Sequence, residues 1–318
     1  MKTFLSKSKI PGMPPAPDVL IFFRIPKTAG NTIDGVFEHC FPDEHFHAHV
    51  GVTDSALLVR STQKIAEKFR RLPIEKQRSV RCLIGIHVAM DVDTIFDRPS
   101  KFFTVVRHPV DRVISNFFHN RTQAHLPSYP FIKDMTLEQY LESGIGLDAH
   151  NHQVRMLSGD PELDVPWDPD GRPIRVPPVK REHLEAAIRN IEERFLIAAP
   201  LEELAALVYF FKELYDWPLR RVFFQNRNQT PGRPAVKDVS EATLRKIADW
   251  NRYDAELYEW VQSCFAAQIE ALGPEFIRRV RQFERLNDLV QTVDRFSPNS
   301  VREFGKALLF RSAVPSVG

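Results

Sequence analysis

The hydrophobic residues of the chain follow two alternating patterns. Short apolar runs predict strands at residues 19–25, 82–86, 102–106, 195–199 and 222–225, because the strands of a parallel sheet are buried on both faces. Between these runs, apolar residues recur at intervals of three and four, which is typical of amphipathic helices. The alternation predicts an α/β protein with a central, mostly parallel sheet flanked by helices.

Two strand–turn–helix units give the clearest signal. After the first strand, one helical face is formed by Ile33, Val36, Phe37, Cys40 and Phe41. After the third strand, the same spacing is formed by Val110, Val113, Ile114, Phe117 and Phe118. Ligands of α/β proteins bind beyond the carboxyl ends of the strands, so we expect functional residues in these two turns.

Further helices are predicted beyond residue 180. One leads through Leu184 into the strand at residue 195, one covers residues 204–215, and one runs from an N-cap at Asp238 or Ser240 through Val261. Residues 161–178 contain prolines and acidic residues without periodicity. They predict a surface loop, either a plain insertion or a lid on the substrate side.

This pattern divides the chain into three parts. We assign residues 1–17 to an N-terminal arm, residues 18–283 to one domain and the weakly patterned residues 284–318 to a C-terminal tail. The N-terminal arm contains lysines and prolines but no apolar run that would form a signal peptide or a membrane span. We therefore expect no stable membrane insertion.

The amino-acid composition disfavours several classes of function. The chain has 318 residues, of which 43% are hydrophobic and 26% charged, as in an ordinary globular protein. A net charge of +2 does not favour nucleic-acid binding, which usually requires a strongly basic face. Cys40, Cys82 and Cys264 are far apart and indicate neither a disulfide framework nor a zinc site. A reducing, cytoplasmic location fits this cysteine usage, and the oligomeric state stays open.

The first candidate site is the segment Pro26-Lys27-Thr28-Ala29-Gly30-Asn31-Thr32, directly after the first strand. Small residues let the backbone curl, so that its N–H groups and the next helix N-terminus converge on one anion. Lys27 adds a positive charge, and Thr28 and Thr32 add hydroxyl donors. The lysine precedes the glycine, whereas the nucleotide-triphosphatase loop GxxxxGK[ST] has it after the second glycine. The alternative interpretation is a turn that only caps the helix.

The second candidate site lies at the end of the third strand, where Arg107 is followed by His108 and Pro109. Proline suits the first turn of a helix. Ser115 lies on this helix outside its apolar face, so its hydroxyl can reach a ligand beside Arg107. A guanidinium and a hydroxyl together suit a phosphate dianion.

With both motifs in place, the chain resembles the carbohydrate sulfotransferases that use 3′-phosphoadenosine 5′-phosphosulfate (PAPS), in particular the uronosyl 2-O-sulfotransferases and their bacterial relatives. The resemblance implies a P-loop-like, three-layer fold and transfer of the sulfuryl group from PAPS to a hydroxyl of a glycan. It implies that residues 26–32, with Ala29 and Gly30, bind the 5′-phosphosulfate, and that Arg107 and Ser115 bind the 3′-phosphate. Asn31 stands where the family usually has serine or threonine, which removes one hydroxyl contact.

Weaker similarity extends from residue 19 to residue 261. It includes residues 151–157 and a later group formed by Asn251, Asp254, Leu257 and Tyr258. Within the first segment, Arg155 is a candidate contact to an acidic or sulfated acceptor, or else a solvated helix arginine. Related enzymes have a basic loop after the last predicted strand that closes over the nucleotide, which implies contacts from Thr230 and Arg233.

His87 is the candidate general base. It follows the second predicted strand, and a neutral imidazole can accept the proton of an attacking hydroxyl. The resembling 2-O-sulfotransferases have their base in a Gly-His-Val context, which His87 and Val88 match in part; the alternative is a structural histidine that closes the strand. Lys27 is suited to stabilise the leaving group. His47 and His49 have no third ligand nearby in sequence and predict a surface loop, so no metal is expected.

Three other functions remain open at this stage. A P-loop-like kinase or nucleotidase would share the fold and the anion loop, but it requires a magnesium ligand and the GK[ST] order, which the sequence lacks. A non-catalytic nucleotide-binding or glycan-binding module would need Arg107 and Ser115 but neither His87 nor Lys27. Finally, the acceptor of a sulfotransferase can be a lipid or a small metabolite in place of a sugar.

Overall fold

The sheet of the protein is parallel throughout. The computed structural model describes residues 10–48, 62–85, 88–126, 129–143, 149–163, 177–225 and 236–296, with side chains to residue 292. Its strands are β1 (Val19–Phe22), β2 (His45–His47), β3 (Cys82–Ile84), β4 (Ser100–Val106) and β5 (Phe195–Pro200). They lie in the order β2-β3-β1-β4-β5, and every neighbouring pair is parallel. The predicted α/β class with a parallel central sheet is confirmed.

Helices connect the strands and cover both faces of the sheet. Those in the described part of the chain are α1 (Gly30–Cys40), α2 (Thr62–Arg70), α3 (Ile74–Ser79), α4 (Pro109–Asn120), α5 (Tyr129–Ile132), α6 (Leu137–Glu142), α7 (His152–Leu157), α8 (Arg181–Arg194), α9 (Leu204–Leu214), α10 (Glu241–Trp250), α11 (Arg252–Ala271) and α12 (Gly273–Phe296). In this part, no helix is both long enough and apolar enough to cross a lipid bilayer.

Two apolar clusters lie on the two faces of the sheet and produce the three layers. Alternate residues of a strand point to opposite faces, and Leu20 of β1 packs in a cluster with α1, α9 and α12. Its neighbour Ile21 packs in the other cluster with α2, α8 and α11. A third cluster joins α4 to α6 and α10. Both faces of β1 are thus fully covered, and its carboxyl end opens to the turns that carry the candidate site.

One predicted strand is wrong. Residues 222–225 form no strand. Val222 and Phe224 are buried in the core, and the N–H of Phe224 donates to the side chain of Asn287 at 3.0 Å, so this run is satisfied without pairing in the sheet. The strand that the sequence pattern missed is β2, at one edge of the sheet, where only Phe46 of three residues is buried. His47 therefore lies in a strand and not in the predicted surface loop. The pattern missed this strand because three residues are too few to form a recognisable apolar run.

The C-terminal half differs from the predicted helix bounds. Ser240 is the N-cap of α10, as expected, but the predicted continuous helix is two helices that meet at Asn251. The boundary we placed at residue 283 falls inside α12, which continues to Phe296. In the described part of the N-terminal arm, Ile10, Met13 and Ala16 pack against the core. The division into arm, domain and tail stays a prediction.

Candidate active site

The turn between β1 and α1 has a backbone shaped to bind an anion. Lys27 and Ala29 both have positive φ, at 70° and 63°, although neither is glycine. Such a conformation costs on the order of 1–3 kcal/mol at each residue and persists where function requires it. Residues of alternating handedness turn successive N–H groups toward one concave side, which is the geometry of an anion-binding nest.

The threonines of this turn have different roles. Thr28 is fully buried and its hydroxyl donates to the carbonyl of Ile25 at 2.8 Å, so it holds the turn from below and is not the open donor expected from the sequence. Thr32 lines a cavity, and its hydroxyl lies 3.3 Å from the carbonyl of Gln225. Thr32 thereby joins the turn to the chain that precedes residues 226–235.

Arg24 supports the turn from behind. Its guanidinium donates to Asn31 Oδ1 at 2.6 Å and forms an ion pair with Asp34. A Cβ at position 30 would lie 2.2 Å from Arg24 Nε, so glycine leaves the room that this side chain occupies. Burial raises the pKa of Asp34 to about 6, against the opposing charge of Arg24. The amide of Asn31, which replaces the family's hydroxyl, is therefore engaged with Arg24.

Arg107 brings the second motif to the first. One guanidinium nitrogen lies 3.2 Å from the carbonyl oxygen of Lys27, and another lies 3.8 Å from Asp111 on the next helical turn. The backbone of Arg107 is held by one side chain: Gln153 Oε1 accepts from its N–H at 2.9 Å, and Gln153 Nε2 donates to its carbonyl at 2.8 Å. The two motifs thus form one site.

Helices α7 and α11 hold Gln153 in place by capping each other. Asp254 accepts hydrogen bonds from the N–H groups of Gln153 and Val154 at 3.1 and 2.8 Å. Asn151 Oδ1 accepts in return from Tyr253 and Asp254 at 2.9 and 3.0 Å. Because a buried carboxylate and amide satisfy helix N-termini here, the pair is structural. From the sequence, these segments were recognised only by their weaker similarity to the family, and the position of Arg107 depends on them.

A cavity of about 500 Å³ joins the two motifs. Its cationic side is lined by Lys27, Ala29, Thr32, Arg107 and Ser115. The rest of its lining comes from the β5–α9 connection, the chain before residue 226 and α12: Leu201, Glu202, Leu204, Ala205, Phe224, Glu284, Asn287, Asp288 and Gln291. The sequence indicated the first group and missed the second. Residues 284–318 were assigned to a tail, and residues 201–205 and Phe224 carry no anion-binding motif.

Arg155 lies apart from this cavity. Its side chain is 2% exposed and donates to the carbonyls of Leu163 and Pro177 at 3.2 and 2.8 Å, one on each side of residues 164–176. A solvated helix arginine is therefore excluded. The contacts give Arg155 a structural role, and its proposed contact with an acceptor receives no support from its position.

Some of the candidate residues, including two histidines, lie outside the part of the chain that the structure describes. His87, Thr230, Arg233 and His49 lie outside the described residues. His119 lies one helical turn beyond Ser115 on α4, and burial together with the charge of Lys27 lowers its pKa to about 4. His47 Nε2 lies 3.0 Å from a carboxylate oxygen of Glu38. In the described ranges, no group of three or more His, Cys, Asp or Glu residues is arranged to hold a metal ion.

Comparison with known proteins identifies the family. The family model described as galactose-3-O-sulfotransferase matches residues 3–296. No curated protein sequence matches the chain significantly. Among solved structures, the chain is similar to the crystal structure of mouse sulfotransferase SULT7A1 complexed with PAP, with 14% identity and a TM-score of 0.37 over 98% of this chain and 96% of that chain.

The family match agrees with the two strand-end motifs. It covers the Lys27 turn, Arg107 and Ser115, and it extends through α12. The motifs predicted a sulfotransferase, and that class is confirmed. The family that matches is the galactose 3-O family, whereas the sequence resembled the uronosyl 2-O enzymes. The chain belongs to the galactose-3-O-sulfotransferase family and is a sulfotransferase.

Proposed function

We propose that this sulfotransferase transfers the sulfuryl group of PAPS to a hydroxyl of a carbohydrate. The observation that carries the proposal is that the Lys27 turn and the Arg107–Ser115 pair line the same cavity. A nucleoside phosphorylated at both its 3′ and 5′ positions has two anionic ends, and two separate cationic positions match them. The description of the family as galactose-3-O-sulfotransferase supports a sugar as acceptor.

The described residues fit such a donor. The nest of the Lys27 turn suits the 5′-phosphosulfate because its N–H groups converge. Arg107 and Ser115 suit the 3′-phosphate. The Arg107 guanidinium lies 3.2 Å from the carbonyl oxygen of Lys27, and Ser115 is 3% exposed. We also assign Thr230 and Arg233 to the donor site, on the resemblance alone. When bound, the donor supplies an activated sulfuryl group and a phosphate leaving group.

Lys27 and His87 carry the chemistry in this proposal. Lys27 stabilises the negative charge that develops on the leaving oxygen. His87 accepts the proton of the attacking hydroxyl, which lets the oxygen attack sulfur. Strand β3 ends at Ile84, three residues before His87, at the same edge of the sheet as β1 and β4, which supports this assignment. His119, beside Lys27, is the alternative base among the described residues.

The other functions receive less support. Family membership disfavours a kinase, and the lysine order of the Lys27 turn agrees with that. A non-catalytic module would not need the charge of Lys27 at the cavity or His87. Cys40, Cys82 and Cys264 are free thiols, which supports the expected reducing location. A lipid or a small metabolite as acceptor is distinguished from a sugar by experiment.

The proposal is tested with labelled PAPS, a panel of galactosides, lipids and small alcohols, and three variants. We expect transfer to a galactoside by the wild type. His87→Ala should retain binding of 3′-phosphoadenosine 5′-phosphate (PAP) and lose transfer. Arg107→Ala should weaken PAP binding about 10- to 100-fold, as expected for a lost charge-assisted hydrogen bond.

His119→Ala separates the two candidate bases. If it abolishes transfer while His87→Ala does not, the base is His119. If calorimetry detects no association of the wild type with PAP, the donor site is wrong and the proposed function fails with it.

A further inference from the structure

A polar stripe on α12 lines the same cavity as the cationic motifs. Glu284, Asn287, Asp288 and Gln291 are spaced by three, four and seven residues, which places them on one face of a helix. The adjacent face packs into the core through residues such as Phe283 and Val290, and Asn287 lies where the two faces meet. A polar helix face usually meets solvent. Here the face also lines the cavity, although Asp288 on it is exposed, so the choice of side chains on it bears on the ligand.

Asn287 lines the cavity, and its side-chain oxygen is already engaged. Its side chain is 3% exposed, and its Oδ1 accepts from the N–H of Phe224 at 3.0 Å. Because a backbone N–H can only donate, this contact identifies the oxygen of the amide. The group that Asn287 can offer to a ligand in the cavity is therefore its Nδ2 donor.

We call the side of the cavity formed by Glu284, Asn287, Asp288 and Gln291 the α12 wall. This wall and Arg107 are connected to the Lys27 turn at different points. Asn287 holds Phe224, and the next residue, Gln225, has its carbonyl 3.3 Å from the hydroxyl of Thr32. Arg107 instead contacts the carbonyl of Lys27. The turn thus lies between a cationic region and the α12 wall, and a ligand bound to the turn can reach both.

The carboxylates of the stripe determine which part of a ligand lies beside α12. Glu284 and Asp288 repel phosphate and sulfate groups, which the turn and Arg107 attract. Burial and the nearby carboxylates raise the pKa of Glu284, as expected where negative charges are crowded. The part of the ligand next to α12 therefore has no negative charge and offers hydrogen-bond donors to the carboxylates.

We propose that the α12 stripe recognises the adenine base of the donor, with Asn287 donating to a ring nitrogen and Glu284 and Asp288 accepting from the exocyclic amino group. The inference rests on the proposed function, which supplies the nucleotide. Apolar surface from Leu201, Leu204 and Phe224 in the same cavity suits the faces of a planar base. Adenine presents an amino donor beside ring acceptors, and hypoxanthine has a carbonyl in place of that amino group.

The test measures base preference by calorimetry. PAP and the 3′,5′-bisphosphate of inosine are titrated into the wild type and into the double variant Glu284→Gln/Asp288→Asn. We expect the wild type to bind PAP at least tenfold more tightly than the inosine analogue, and the double variant to lose that preference to within about threefold. Glu275→Gln is the matched control, since Glu275 is an exposed carboxylate in the first turn of α12.

Each outcome distinguishes this inference from the proposed function. A wild-type enzyme that binds neither nucleotide overturns the proposed function and this inference with it. A wild type that binds PAP, together with a double variant that keeps the full preference, overturns the adenine assignment alone. A double variant with unchanged PAP affinity and a raised KM for the galactoside overturns it too, and assigns the stripe to the acceptor.

Discussion

Gln153 is the residue through which the packing of two helices reaches the candidate phosphate site. Its amide matches both the N–H and the carbonyl of Arg107, as a peptide group of a neighbouring strand would. A side chain that binds both groups of one residue fixes the direction in which that residue's own side chain leaves the backbone. Gln153 is therefore a positioning residue for Arg107, and it touches no ligand itself.

We expect Gln153→Ala to weaken PAP binding about tenfold, because Arg107 is no longer held. Asn190→Ala is the control, since Asn190 donates two hydrogen bonds to the carbonyls of Leu157 and Ser158 at the other end of α7, both at 2.9 Å. Both variants should lose about 1–3 kcal/mol of unfolding free energy. Equal PAP affinities in the two variants would assign Gln153 a purely structural role.

Asp34 gives a residue-scale prediction about pH. Its folded pKa of about 6 lies above the usual value near 4 for a solvated aspartate. The folded state therefore binds the proton more tightly than the unfolded state. The stabilisation from this group is complete below about pH 4 and is lost as the pH rises through about 6.

Asp34→Asn should remove this dependence, because an amide still accepts from Arg24 and has no charge to bury. We expect the wild type to lose on the order of 2 kcal/mol of unfolding free energy relative to Asp34→Asn between about pH 4 and pH 7. Urea unfolding at several pH values measures the difference. Parallel profiles for the two proteins would mean that Arg24 already keeps Asp34 charged.

At the scale of elements, local signals predicted α1 and α4 well. Their apolar faces recur at helical spacing, and the turns before them contain the residues that end strands and start helices. The same signals failed at Asn251, because α10 and α11 share one apolar periodicity. The break there is made by hydrogen bonds from the Asn251 side chain to Ala149 and from Asn151 to that side chain, at 2.7 and 2.9 Å. No local pattern records partners so distant in sequence.

At residues 222–225 the apolar pattern predicted a strand that does not form. Their apolar run is buried as a strand would be, but α12 supplies both the packing surface and the hydrogen-bond acceptor for Phe224. A run of apolar residues predicts burial, and it does not determine which partner satisfies the backbone.

At the scale of the whole molecule, α12 completes both the core and the cavity. A chain that ends at residue 283 loses Val290, which is 4% exposed, and the Asn287 contact with Phe224. Compared with a chain that ends at residue 296, we expect it to lose about 3 kcal/mol of unfolding free energy and measurable PAP binding. Denaturant unfolding and calorimetry on the two chains check this; equal stability and affinity would restore the boundary at residue 283.

The sequence by itself determined the parallel α/β architecture, the turns that carry Lys27 and Arg107, and the sulfotransferase class. The architecture and the turns follow from apolar periodicity and turn residues, which act between near neighbours, and the class follows from the resemblance that the two motifs carry. Only the tertiary structure decided that Arg107 contacts Lys27, 80 positions away, that Gln153 holds Arg107, and that α12 forms a wall of the cavity. Hydrogen bonds and packing between segments far apart in sequence make those arrangements, and such contacts exist only once the chain has folded.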